Sequence, residues 1–176
     1  MEFDFTNVSD TGFVELEPGR YKVVTQDWWK RVKEDTGNVV LDIDLKVTEG
    51  KFDGSTIRYF HTITNKEISK GFLLAMFSAV GLIREGDRGN GGSLKPRFVF
   101  GDKDDKGRER VVSLSVNGQE RKVEGLLATA VVVKGESRSQ VQRLEAVGAS
   151  TSASVGNIVS QSSPGNSGDT KPSLPF

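Results

Sequence analysis

From residue 39 the chain alternates. Val39, Leu41, Ile43, Leu45 and Val47 fall on one side of an extended segment, and Asp42, Asp44 and Lys46 fall on the other. A period of two puts the apolar set on one face, which predicts a half-buried strand. Upstream, "GRYKVVTQDWWKRV" opens at Pro18-Gly19 and is rich in β-branched and aromatic residues, predicting a strand of about 9 to 12 residues. Between the two, "KEDTGN" supplies Asp35, Gly37 and Asn38 as turn formers, so the pair reads as an antiparallel hairpin. "GKFDG" is a second turn. "STIRYFHTIT" follows as a third strand, with Ile57, Tyr59, His61 and Ile63 opposite Arg58, Phe60 and Thr62.

The period then lengthens. In "NKEISKGFLLAMFSAVGLI", Ile68, Phe72, Ala75, Met76 and Ala79 recur at steps of three and four, and Leu73, Phe77 and Val80 widen the stripe. This predicts an amphipathic helix packed on a core, capped by Asn65, with Glu67 in its first turn and Gly81 as its stop. A glycine-rich loop, "REGDRGNGGS", leads to "KPRFVFGD", "RERVVSLSV", "GLLATAVVVKG" and "SQVQRLEAV", all of strand character. Three strands, a helix and a closing pair is the order of the five-stranded OB barrel, all-β with one helix between strands three and four. The last two segments are assigned to the closing pair, and the "KPRFVFGDKDDKGRERVVSLSV" hairpin to an insertion.

Residues 1–148 are enough for one domain with a real core. From Ala149 the sequence is Ser, Gly, Asn, Thr and Gln with only Val155, Ile158 and Val159 as larger apolar residues before the final Leu174, Pro175 and Phe176, so 149–176 is expected to be a disordered tail. There is no cysteine, which excludes disulfides and thiolate metal sites, and the single histidine, His61, excludes any site needing two imidazoles. The first residues carry acids where a secretory leader needs bases, and no apolar run approaches a membrane span, so a cytoplasmic protein is expected.

Charge changes the picture only when it is located. The formal net charge is zero, yet residues 1–57 hold 12 acids and 7 bases whereas 58–148 hold 16 bases and 11 acids. A neutral total thus hides a polar distribution, and a basic face remains available to phosphates. Trp28 and Trp29 are consecutive in a strand and must leave on opposite faces, one filling the core while the other stands outside beside Lys30, Arg31 and Lys33. That combination suits base stacking with cations on the phosphates; the alternative is a partly exposed structural tryptophan beside solvated charges. Arg58 and Phe60 repeat the theme on strand three, and strands two and three line the usual ligand face of an OB barrel. Lys95, Arg97, Arg108, Arg110, Arg121, Lys122, Lys134, Arg138 and Arg143 are further bases from which a groove could be extended, though each also reads as a plain surface charge.

Other motifs fail on their chemistry. "DKDDKG" imitates the start of a calcium loop but has Lys106 where a ligand belongs and Ser113 at the twelfth position, so it reads as a hairpin turn. "GDRGNGGSLK" lacks the lysine-hydroxyl pair of a phosphate loop. Asp42 and Asp44 need no metal to explain acids on a wet strand face. No catalytic constellation, metal or cofactor is expected.

"GRYKVVTQDWWKRVKEDTGNVVLDIDLKVTEGKFDGSTIRYF", followed by a helix ending "AVGL", resembles a family of phage-encoded single-stranded-DNA-binding proteins long catalogued as a domain of unknown function. The resemblance covers residues 15–82 closely and 120–148 more loosely, and it implies an OB-fold that coats single strands during phage replication or recombination in the host cytoplasm. The last residues, "SLPF", are similar to the end of bacterial single-stranded-DNA-binding proteins. That likeness implies docking of Leu174, Pro175 and Phe176 on partners such as a helicase, primase or recombinase. The acidic run of those tips is reduced here to Asp169, offset by Lys171. The competing expectation is an OB-type protein-interaction or virion module that binds no nucleic acid.

Overall fold

The computed structural model describes residues 15–89 and 94–148. The N-terminal residues 1–14, residues 90–93 of the glycine-rich loop, the expected tail from residue 149 and the tip Leu174, Pro175 and Phe176 lie outside the described residues. Eight strands and one helix follow in the order β1 (Gly19–Val32), β2 (Val39–Val47), β3 (Thr56–Ile63), α1 (Glu67–Ala79), β4 (Arg97–Lys103), β5 (Glu109–Val116), β6 (Gln119–Lys122), β7 (Leu127–Lys134) and β8 (Ser139–Glu145). A 3₁₀ turn at Glu85–Asp87 sits between α1 and β4. The described residues are mostly antiparallel β-sheet with a single α-helix. Among the described residues no helix is long and apolar enough to cross a membrane.

β1 organises the sheet because it is long enough to serve three partners. One edge pairs with β2. On the other edge Gly19–Val24 pair with β7, and Trp28–Lys30 pair with β5. The 95–118 segment is therefore tied into the sheet through β1, with β4 and β6 on either side of β5. The expected insertion shares the central strand, and β6, which the hydrophobic pattern does not reveal, completes it. β3 and β8 lie near each other and run in the same sense, but among the described residues no ladder joins them, so the sheet stays open along that seam.

The handover on β1 is marked by an irregularity. Thr25 pairs with Leu45 but Trp28 pairs with Ile43, so β1 spends one extra residue over that step. The inward-facing residues accordingly change from Val23 and Thr25 to Trp28. Thr25 holds the bulge: its hydroxyl donates to the Val123 carbonyl at 2.6 Å and accepts from the Leu126 N–H at 3.0 Å, while its own N–H reaches the Leu126 carbonyl at 2.8 Å.

The helix departs from its expected face. Met76, Phe77 and Val80 are buried against the sheet, but Ile68 and Phe72 are 74% and 61% exposed, and Ala75 is exposed with them. The apolar stripe is wider than the surface the sheet offers, so its Ile68–Phe72–Ala75 edge remains in solvent. Asn65 is not the cap; Lys66 holds that position without a side-chain bond. Ser69 instead closes the entry, its hydroxyl accepting from the Thr64 N–H and donating to the Thr62 carbonyl. Gly81 does end the helix: at φ +76° it lets Leu82 N–H reach back to the Phe77 carbonyl at 2.9 Å.

Candidate nucleic-acid interface

Side chains directly opposite in an antiparallel pair share a face. The registers therefore place Arg110 of β5, Trp29 of β1, Asp42 of β2 and Phe60 of β3 in one row across the outer face of the sheet. The next pair along, Asp44 and Arg58, lies on the same face. Phe60 is 50% exposed, and Trp29 is partly exposed. Trp28 points the other way and has no exposed surface, so it offers nothing to a base; of the two tryptophans, Trp29 is the outer one.

The face already holds contacts of its own. Arg108, from the β4–β5 turn, lies with its guanidinium 4.8 Å from the Trp29 ring centroid. Asp104 anchors it there, accepting from Arg108 Nε at 2.6 Å as well as from the backbone N–H groups of Lys106 and Arg108. "DKDDKG" thus ends in a hairpin turn whose second aspartate, Asp104, is engaged by all three of these donors. Arg31 Nε donates to Asp42 at 2.7 Å. Arg58 donates to both oxygens of Asp44, at 2.6 and 3.2 Å, and that bond raises the guanidinium pKa. Arg110 pairs with Asp27 at 2.7 Å.

The other expected contact residues divide by what they touch. Lys30 leans over Phe100, 4.7 Å from its centroid, and donates to Glu109 at 2.6 Å; bonds from Lys30 and Lys103 hold the Glu109 carboxyl below its usual range. Arg121 is turned to the segment after α1, donating to the Leu82 carbonyl and to both oxygens of Asp87, so its guanidinium serves the fold rather than the outer face. Arg143 is engaged with Glu145. Lys33, Lys95, Arg97, Lys122, Lys134 and Arg138 take part in no ion pair among the described residues. His61 is half-buried with Nε2 against the Ser69 carbonyl, and burial lowers its pKa. Among the described residues no acid or imidazole cluster is arranged for a metal ion.

Arg58 and Phe60 also border the open seam. A cleft of about 760 Å³ runs between β3 and β8, lined by Ile57, Arg58, Phe60, Arg138, Gln140 and Val141. It brings Arg138, from the turn before β8, beside the row of aromatics. Sequence reasoning did not connect Asp104, Arg108 and Trp29, nor Arg58 with Arg138; both meetings depend on cross-strand register and on the approach of β3 to β8, for which no local spacing gives a signal. Residues 1–82 match a family described as a protein of unknown function (DUF669), and the chain is similar to that family over this part of its length. No curated protein matches the chain.

Proposed function

We propose that the protein is a non-catalytic single-stranded-DNA-binding protein of OB type. The strand order supports the OB reading: β1 stands between β2 and β7, α1 follows β3, and β8 returns beside β3, with β4–β6 inserted before the closing pair. The observation that carries the function is the row on the outer face, where Trp29 and Phe60 project on either side of Asp42 with Arg31, Arg58, Arg108 and Arg110 around them. Bases stack on the two rings and guanidinium groups meet the phosphates, a mode that tolerates any sequence. In this reading the protein coats single strands during phage replication or recombination in the host cytoplasm. Leu174, Pro175 and Phe176 recruit a helicase, primase or recombinase.

Titration with oligo-dT at low salt tests it through intrinsic fluorescence. Trp29 emission is expected to change on binding, and Trp29→Phe to abolish most of that change, since Trp28 is sealed from the ligand. Unchanged emission together with no gel shift overturns the proposal.

One observation favours a second reading. Ile68, Phe72 and Ala75 leave an uncharged apolar edge on α1, which suits a protein-interaction or virion module. Under it Phe72→Ser abolishes partner capture while oligo-dT has no effect on the protein.

A further inference from the structure

Four arginines of the outer face, Arg31, Arg58, Arg108 and Arg110, are each held by a carboxylate, while Arg138 at the edge of the seam takes part in no ion pair among the described residues. Asp42 and Asp44 stand two residues apart on the same face of β2 and take Arg31 and Arg58. Asp104 takes Arg108, whose planar group already covers Trp29 where a base would stack. A carboxylate accepting from a guanidinium, with both oxygens in the case of Asp44, occupies the positions that two phosphate oxygens would use. The ion pairs also make these cations nearly neutral as seen by a distant polyanion. A strand reaching this face finds no bare row of positive charge.

We propose that Asp44 and Asp104 are built-in surrogates for the ligand, holding Arg58 and Arg108 in binding geometry and yielding them to phosphates when a strand arrives, whereas the buried Asp42 keeps Arg31. The inference rests on the single-strand reading of the face. The acids keep the cations preorganised and lower the affinity at the same time, so the bound strand is released readily. Binding is an exchange of one anion for another, with fewer counterions released than the number of arginines suggests.

Asp44→Asn is the main test, because Asp44 lies near the surface and its loss leaves the β2–β3 ladder intact. Oligo-dT binding is measured by fluorescence anisotropy across a salt series for wild type, Asp44→Asn, Asp104→Asn and Glu67→Gln, with thermal melts to establish folding. Glu67 pairs with Lys70 on α1 and controls for net charge alone. The expected result is that Asp44→Asn and Asp104→Asn each bind about threefold tighter or more at low salt. The slope of log K against log salt steepens by about 0.7 for each freed cation, and Glu67→Gln matches wild type. Folded Asp44→Asn and Asp104→Asn variants that bind no tighter than a binding wild type overturn the inference, as does an equal gain from Glu67→Gln. Absence of binding by wild type overturns the single-strand reading, and the inference with it.

Discussion

Trp28 stacks on Phe77 with ring centroids 6.4 Å apart and planes 15° from parallel, joining the central strand to the helix through the middle of the core. Phe98 of β4 meets Phe77 edge-on at 5.7 Å, so the β4–β5 hairpin closes on the same pair. Trp28→Ala is expected to lower unfolding free energy by about 3–5 kcal/mol in urea titrations. Trp28→Phe costs less, because it keeps the ring contact and removes an indole N–H that has no hydrogen-bond partner.

The neighbouring ring behaves oppositely. Trp29→Ala and Phe60→Ala leave the melting temperature nearly unchanged, since neither ring is a core element, but each weakens oligo-dT binding by about 1–3 kcal/mol. Parallel melts and anisotropy titrations check both halves of this expectation.

Thr25 is buried with its hydroxyl both donating and accepting. Thr25→Val keeps the shape and strands the Val123 carbonyl and Leu126 N–H, a loss of about 1–3 kcal/mol readable in denaturant titrations. An isosteric change of this size with little effect would show that the bulge holds without its side chain.

Asp87 gives stability a defined response to acid. Bonds from Arg121 and from the Arg84 N–H hold its carboxyl at about 2, below the usual aspartate range. The unfolded chain therefore takes up this proton at higher pH than the folded one. The contribution is complete above the ordinary aspartate value of about 4, and it disappears as pH falls from there toward about 2. Asp87→Asn is expected to be less stable at neutral pH and to lose less on acidification across that window, followed by circular dichroism.

How much of this was legible depends on whether a local period carried it. β2 and β3 form where their alternation predicts, and Leu41, Ile43, Leu45, Val47, Ile57 and Tyr59 are buried as their phase requires, but Val40 and Asp42 on the face expected to be wet are buried too, Asp42 in its pair with Arg31. β1 was legible as a strand but not in its facing, because the extra residue between Thr25 and Trp28 reverses the parity of everything after it. The sequence carries no local mark for that reversal, which is why the two tryptophans were interchangeable until the register was known. The helix failed in another way: its apolar stripe is real, but burial depends on the surface facing it, and Phe72 has none. At the candidate site, residue types were visible and partnerships were not. Arg31 and Arg58 read as free cations along the chain, and only the cross-strand register turns Asp42 and Asp44 into their companions.

Because β1 is zipped to β2 on one flank and shared between β7 and β5 on the other, no hairpin can peel away without uncovering the middle of the molecule. The described sheet is consequently expected to open as one cooperative unit: amide protons of Val23 and Trp28 should be among the last to exchange in deuterium, and fragments cut between the hairpins should fail to fold alone.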